Sequence, residues 1–215
     1  SSDLLTNLLL HLACVLLLAG LLERWTANRL LALGVAGLFA VHPVNANAIA
    51  YIAGRADPLA LAGMLAALLC FDAHLRQPRP AAFCAGPLAF AAALFSRENA
   101  MLFPVLLLLT TAVIFPDKKP VRRALLLALL VVAFHYWRRE VLLLQDKQVL
   151  ANPALPFLDR VTVALRSLAT YLGLLVWPAH LQMERQTLTG PPWWLGALLL
   201  TGFLAALAWT RRRLP

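Results

Sequence analysis

Apolar runs follow one another along the whole chain, and their length limits the fold more than any other feature. The runs are residues 4–22, 30–53, 58–71, 81–95, 100–115, 124–137, 161–177 and 193–209. A helix needs about 20 apolar residues to cross a bilayer, with about 17 as the lower limit, whereas a barrel strand needs only about 10. The runs are too long for barrel strands, so they predict membrane helices that flanking residues complete.

The composition supports a membrane protein. The chain is 61% hydrophobic and 13% charged, whereas a soluble domain is nearer half apolar and a quarter charged. No polar stretch is long enough for a separate soluble domain. We therefore predict an all-α integral membrane protein with a single transmembrane domain over residues 1–215. It would be a polytopic helical bundle with about seven to eight membrane segments.

The positive charge is concentrated in alternate turns. Residues 23–29, 74–80, 117–123 and 211–213 hold 11 of the 19 Lys and Arg residues. The positive-inside rule makes the face that carries these turns cytoplasmic, so the other connections lie on the outer face. The net charge of +9 then reflects topology and contact with anionic lipid headgroups. Nucleic acid is not predicted as a partner.

The connection 138–160 lies on the outer face in this assignment. If both later apolar runs crossed the membrane, the basic residues 211–213 would lie on the outer face as well, against the charge rule. We therefore expect one of these two runs not to cross. Residues 161–177 are the weakest span because Thr162, Arg166, Ser167 and Thr170 interrupt them. We expect residues 160–177 to lie along the outer surface or to form a re-entrant helix. The alternative is that this segment crosses and the basic tail breaks the charge rule.

Pro43 interrupts the second apolar run. Proline removes a helix hydrogen bond and kinks or breaks the helix. At membrane depth such a break is tolerated only against protein or a polar cavity. We expect the helix to end near His42, and residues 45–55 to form a turn or a short surface helix on the outer face.

Polar residues form four clusters on the predicted outer face, namely residues 42–57, 96–99, 138–160 and 178–185. Polar groups at a membrane boundary need partners, so such clusters are candidate sites. Arginine suits a phosphate because its planar fork donates two parallel hydrogen bonds, and a carboxylate suits general-base work. The candidate residues in these clusters are His42, Asn45, Asn47, Arg55, Asp57, Arg97, Glu98, Glu184 and Arg185.

Structural roles compete with these functional ones. Asp57 before Pro58 suits an N-cap followed by proline at the first helical position. Ser96 suits a cap of the next helix, and Glu98 in its first turn suits the helix dipole.

All but one of the remaining candidate residues also have a simpler, structural interpretation. His42 suits the interfacial end of a helix, and Asn45 and Asn47 suit the bonding of turn backbone. Arg97, like Arg138 and Arg139, suits contact with lipid headgroups. Arg55 is the exception, because no capping role explains it.

Four blocks in order carry a resemblance to a known family. The first block is Asn7 through His11, and the second is His42-Pro43-Val44 with the run Ala48-Ile49-Ala50-Tyr51-Ile52-Ala53-Gly54-Arg55-Ala56-Asp57. The third is Ser96-Arg97-Glu98-Asn99-Ala100, and the fourth is Asn152-Pro153 with Tyr171-Leu172 through Trp177-Pro178 and Leu181. Together they resemble the membrane O-mannosyltransferases with tetratricopeptide repeats, the TMTC family, and their bacterial relatives.

The resemblance implies a GT-C glycosyltransferase fold and a polyprenyl-phosphate sugar as the donor substrate. The sugar would pass to a Ser or Thr hydroxyl of an acceptor protein on the non-cytoplasmic face. Arg55 and Arg97 would hold the lipid phosphate, Glu98 would help to organise the site, and Tyr171 would line it. The resemblance names no catalytic residue here, and no metal ligand is predicted.

This chain departs from the family in four ways. It begins at what looks like the second helix, without the first helix and its acidic outer loop, and the repeats are absent. It also has Asn45 and Asn47 where the signature has a histidine and a glutamate, and Arg97 where the family has a lysine. The sequence is then either part of a larger enzyme or a reduced, non-catalytic relative.

We expect the membrane core of a protein O-glycosyltransferase in a bacterial inner (cytoplasmic) membrane. The alternative is a structural or assembly subunit of a larger membrane complex that keeps the fold. A transporter ranks third, because no inverted repeat is visible.

Overall fold

The structure of this chain, a computed structural model, describes residues 2–115, 126–131, 133–134, 136–137, 156–178 and 191–213. The regular structure in these ranges is helical throughout, which confirms the all-α prediction. The chain divides into two compact units, residues 1–135 and 136–215, and each is described by itself. The prediction of one domain over residues 1–215 stays a prediction.

The helices follow the apolar runs closely. In the described part of the first unit they are α1 (Ser2–Thr26), α2 (Arg29–Val41), α3 (Ala46–Ala50), α4 (Ala56–Arg76), α5 (Pro80–Ser96) and α6 (Phe103–Ile114), with 3-10 turns at Pro43–Asn45, Ile52–Arg55 and Glu98–Leu102. Residues 126–131 are also helical. In the described part of the second unit the helices are α7 (Phe157–Val176) and α8 (Trp193–Arg213).

Two of the described helices, α1 and α4, are long and apolar enough to cross a membrane. A third span results if α2 and the segment Pro43–Ala50 are one span with a bend of 49°. The stretches Pro80–Ser96, Glu98–Ile114 and Trp193–Ala206 are apolar but shorter. These helices support a membrane protein, whereas the number of about seven to eight segments stays a prediction.

Helix α7 covers the segment that we expect to lie along the surface or to be re-entrant. It has 20 residues, and Arg166 lies near its middle, whereas the charged residues of α1 and α4 lie near the helix ends. It is not among the helices of the described ranges that are apolar enough to cross. The choice between an interfacial, a re-entrant and a crossing helix stays open.

The core of the first unit depends on a close contact between α4 and α5. A Cβ atom added at Gly63 of α4 would lie 2.8 Å from the Cβ atom of Ala93 and 2.9 Å from the carbonyl oxygen of Ala89. Next to this contact the rings of Phe90 and Phe103 stack with their centroids 4.9 Å apart, and both are fully buried. Small residues let two helix backbones approach without a hydrophobic driving force from lipid, so this packing suits a membrane bundle.

Charged side chains meet at two opposite ends of the first unit. At one end, here called the basic end, Arg76 donates a hydrogen bond to the carbonyl oxygen of Arg24, and its guanidinium lies over the ring of Phe115. At the other end, here called the site end, Arg97 pairs with Asp57. The structure thus confirms that turns 23–29 and 74–80 share one end and that clusters 42–57 and 96–99 share the other. Which end faces the cytoplasm stays a prediction.

Candidate functional site

Residues 42–55 follow α2 and are here called the broken segment, because two short 3-10 turns and α3 replace a continuous helix there. The break forms where Pro43 predicts it. Helix α2 ends at Val41, and Pro43 begins a short 3-10 turn. Two polar side chains stabilise the break: Nδ1 of His42 accepts from the backbone N–H of Val44 at 3.2 Å, and Nδ2 of Asn45 donates to the carbonyl oxygen of Phe39 at 2.6 Å. The structure confirms a helix end near His42, and it gives Asn45 the backbone-bonding role that was its simpler interpretation. His42 stands at the helix end, as its simpler interpretation had it, and also bonds the backbone there.

A polar face on α1 holds this segment in place. Nδ2 of Asn7 donates to the carbonyl oxygens of Tyr51 at 2.8 Å and Ile49 at 3.3 Å. One turn further on, Nε2 of His11 lies 3.1 Å from the carbonyl oxygen of Ala40, so this nitrogen carries the proton. These contacts give side-chain donors to carbonyl groups at the helix break, where regular helix hydrogen bonding stops. The carbonyl oxygen of Tyr51 also accepts from the backbone N–H of Gly54 at 2.9 Å.

Two ion pairs lie at the site end, and they involve both arginines that the resemblance assigns to the donor phosphate. Nη2 of Arg55 donates to Oδ1 of Asp3 at 2.9 Å. Nε of Arg97 lies 3.1 Å from Oδ1 of Asp57. All four side chains are between 44% and 49% exposed, so both pairs are accessible from outside the protein. Each bond uses one of the five N–H donors of its guanidinium.

The predicted capping roles of Asp57 and Ser96 are wrong. Helix α4 begins at Ala56 with Arg55 at the N-cap position, so Asp57 lies inside the first turn, where its carboxylate binds Arg97. Ser96 is the last residue of α5, and its hydroxyl donates to the carbonyl oxygen of Ala92 at 2.8 Å. Glu98 does lie in the first turn of the next helical segment, as expected.

The structure brings six of the candidate residues to the site end of the first unit: His42, Asn45, Arg55, Asp57, Arg97 and Glu98. Tyr171 belongs to α7 of the second unit, where it is exposed. The side chain of Asn47 lies outside the described part of the structure, as do Glu184, Arg185 and residues 138–140. In the described ranges no group of three or more His, Cys, Asp or Glu residues could hold a metal ion.

Sequence reasoning missed three residues of this arrangement as partners: Asp3, Asn7 and His11. A signal for them was present, because these polar residues recur every four positions in an apolar helix and therefore share one face. Such a face in a membrane helix needs polar partners, and the broken segment supplies them.

Replacing Asn7 with Ala should lower stability by about 1–2 kcal/mol. The substitution removes the hydrogen bonds to the carbonyl oxygens of Ile49 and Tyr51. The loss is moderated because Oδ1 of Asn7 is itself buried without a hydrogen-bond partner. Thermal unfolding in detergent, followed by tryptophan fluorescence, measures the change. Leu8→Ala is the matched control because Leu8 is the next residue and is half-exposed. Equal losses in both variants would contradict this role of Asn7.

Comparisons with known protein families, with curated proteins and with solved structures find no match to this chain. The resemblance to the TMTC family stays a prediction. The function proposed below therefore rests on the geometry of the site end.

Proposed function

We propose that this chain is the membrane core of a polyprenyl-phosphate-sugar-dependent protein O-glycosyltransferase with its site at the site end. One observation carries the proposal. Arg55 and Arg97 are both half-exposed beside the broken segment, and an aspartate orients each of them. Two oriented guanidiniums at the end of a membrane bundle suit the phosphate of a lipid-linked donor, because they offer paired charge-assisted hydrogen bonds.

The chemistry needs a phosphate binder and a proton acceptor. The bond between the sugar's anomeric carbon and the phosphate oxygen breaks, and the polyprenyl phosphate leaves with the electron pair. The oxygen of a Ser or Thr hydroxyl forms the new bond to the anomeric carbon, and its proton passes to a carboxylate. Arg55 and Arg97 would stabilise the charge on the departing phosphate. Asp3 and Asp57 offer carboxylates beside these arginines.

The ion pairs at the site end are suited to exchange with a donor phosphate. An exposed ion pair contributes little to stability, with a typical value of about 0–1 kcal/mol. A phosphate can therefore replace an aspartate as the partner of an arginine without unfolding the site. The hydrogen bonds from Asn7 and His11 hold the neighbouring segment independently of these pairs.

A structural or assembly subunit is the second candidate, and one observation favours it. Both arginines already have carboxylate partners, at 2.9 Å and 3.1 Å, and this pairing alone would explain their presence. In that case Arg55 and Arg97 would only tie helices of the bundle together.

Replacing Arg97 with Ala should reduce sugar transfer by about 10- to 100-fold, since a hydrogen bond to a charged group contributes about 1.5–3 kcal/mol. The amount of folded protein should stay within about twofold, because the pair with Asp57 is exposed. The assay uses the full-length protein in membranes that contain polyprenyl-phosphate sugars, and mass spectrometry measures the sugar on Ser and Thr residues.

Arg79→Ala is the matched control for Arg97→Ala, because Arg79 is an exposed arginine at the start of the same helix α5. It should leave transfer unchanged. No transfer by the wild-type protein, together with loss of co-purifying membrane proteins in Arg97→Ala, would support the structural subunit instead.

A further inference from the structure

Helix α7 of the second unit carries an apolar face along its whole length. Residues three or four positions apart lie on the same face of a helix. At 1.5 Å of rise per residue, this face is about 27 Å long. Such a face is favourable only where it is removed from water. Six apolar residues recur at this spacing, and they are here called the α7 stripe: Phe157, Val161, Ala164, Leu168, Leu172 and Leu175.

The α7 stripe faces away from the rest of the second unit. None of its six side chains is buried, and those at its ends, Phe157 and Leu175, are 78% and 57% exposed. Helix α8 packs beside the stripe, because a Cβ atom added at Gly196 would collide with the carbonyl group of Leu165, which is not a stripe residue. The stripe is therefore uncovered within the part of this unit that the structure describes.

The opposite face of α7 carries polar side chains and is the more buried of the two. The polar residues that recur there at the same spacing are Asp159, Thr162, Arg166 and Thr170. Asp159 is exposed in the first turn, the other three are half-buried, and both threonine hydroxyls donate to carbonyl oxygens of α7 itself at 2.8 Å. A surface helix of a soluble protein has the reverse arrangement, with its apolar face toward the core. The α7 stripe therefore suits an apolar medium, and in a chain with helices long and apolar enough to cross a membrane that medium is lipid.

The charged residues of α7 favour a position parallel to the membrane surface. Arg166 is the tenth of the 20 residues, so a crossing α7 would carry it near the middle of the bilayer, where arginine is among the most costly residues. The uncharged stretch after Arg166 covers only about 15 Å, half of the hydrocarbon core. In a parallel helix Arg166 lies on the face away from the hydrocarbon. Arg160, at the edge of the stripe, can then reach the headgroups through its long side chain.

We infer that α7 lies in the plane of the membrane interface, with the α7 stripe immersed in the acyl-chain region and the polar face away from it. The partner of the stripe is the bilayer surface itself. A helix of this kind sinks its apolar face about 5–10 Å into the boundary between headgroups and acyl chains. Trp177, which is 77% exposed directly after the helix, suits the same depth because tryptophan favours the membrane–water interface. The inference does not depend on the proposed function, since the stripe contains none of the residues at the site end.

The test measures the depth of single positions along the stripe. Val161→Cys, Leu168→Cys and Leu175→Cys are each made in the full-length protein and labelled with a nitroxide. The labelled proteins are placed in vesicles of phosphatidylcholine and phosphatidylglycerol. Collisions of the nitroxide with oxygen, which concentrates in lipid, and with a water-soluble nickel chelate then give the depth of each position.

The native cysteines determine the background for these variants. Cys70 and Cys84 are replaced with Ala, whereas Cys14 is kept because its thiol is buried and does not react with the label. The same background without an added cysteine is the blank. Thermal unfolding checks that every variant is folded.

The three stripe positions should lie at one depth, within about 5 Å of one another, because a helix parallel to the surface presents one face to the lipid. In a crossing helix, position 168 would be about 10 Å deeper than positions 161 and 175, since each of them is seven residues away. In a re-entrant helix the depth would change steadily from position 161 to position 175. Either of these profiles would overturn the inference. Stripe labels that collide with the nickel chelate but not with oxygen would overturn it too, because the stripe would then lie outside the lipid.

Asp159→Cys is the matched control, because Asp159 is exposed on the opposite face and only two residues from Val161. Its label should collide mainly with the nickel chelate, whereas the label at position 161 should collide mainly with oxygen. In a crossing helix the two positions would differ in depth by only about 3 Å and would give similar collision rates. Similar rates at positions 159 and 161 would therefore contradict a helix that lies in the plane of the interface.

Discussion

Replacing Asp72 with Asn should destabilise the first unit by about 2–3 kcal/mol. The carboxylate is buried, and it receives hydrogen bonds from Trp25 and Arg76 and an ion pair from Arg24. An amide keeps one acceptor oxygen but directs an NH₂ group at donors that need an acceptor. Loss of a buried partner costs about 3–5 kcal/mol when the remaining charge is also buried. Here the two arginines are half-exposed, so water compensates part of the loss.

The same substitution at the other end of α4 is the control for Asp72→Asn. Asp57 is half-exposed and pairs with Arg97, so Asp57→Asn should lower stability by at most about 1 kcal/mol. Thermal or denaturant unfolding in detergent measures both variants under one set of conditions. Equal losses of stability in the two variants would show that the burial of Asp72 does not explain its contribution to stability.

Replacing Gly63 with Leu should separate α4 from α5 and destabilise the first unit by about 3 kcal/mol or more. Even a Cβ atom at this position would lie 2.8 Å from the Cβ atom of Ala93 and 2.9 Å from the backbone oxygen of Ala89. A backbone oxygen moves only if its helix moves, so the larger side chain forces the helices apart. The expected result is a lower thermal midpoint and a smaller folded fraction in detergent.

Gly20→Leu is the control for the packing argument. Gly20 is also inside a long apolar helix, α1, but an added Cβ atom would meet nothing within 4 Å. Because leucine forms helices better than glycine, this variant should be neutral or slightly more stable. A midpoint that falls as far in Gly20→Leu as in Gly63→Leu would show that the effect is not specific to the contact with α5.

The helices and their ends could be predicted from local properties. The length of an apolar run determines whether a helix suits the membrane, and neighbouring residues determine where it ends. The run over residues 4–22 became a helix over Ser2–Thr26, and Pro43 ended α2 at Val41. The grouping of the charged turns at two ends also followed from the alternation of apolar and basic segments along the chain.

The partners at the site end could not be predicted in this way. Asp57 before Pro58 looks like a cap in the sequence, but in the structure it binds Arg97 from another helix. Arg55 had no local explanation, and its partner Asp3 is 52 positions away. A local pattern cannot identify such partners, because the partner of a charged side chain depends on which helix ends lie together.

The sequence by itself determined that this protein is helical and apolar enough for a membrane, and where its polar residues interrupt the apolar runs. These properties depend on residues close together in the chain. Only the tertiary structure decided that Asp3 and Asp57 pair with the two arginines at the site end. It also decided that Asn7 and His11 bind the broken segment, and that Arg24 and Trp25 of α1 bind Asp72 of α4. These contacts join different helices, and they exist because close packing brings those helices together.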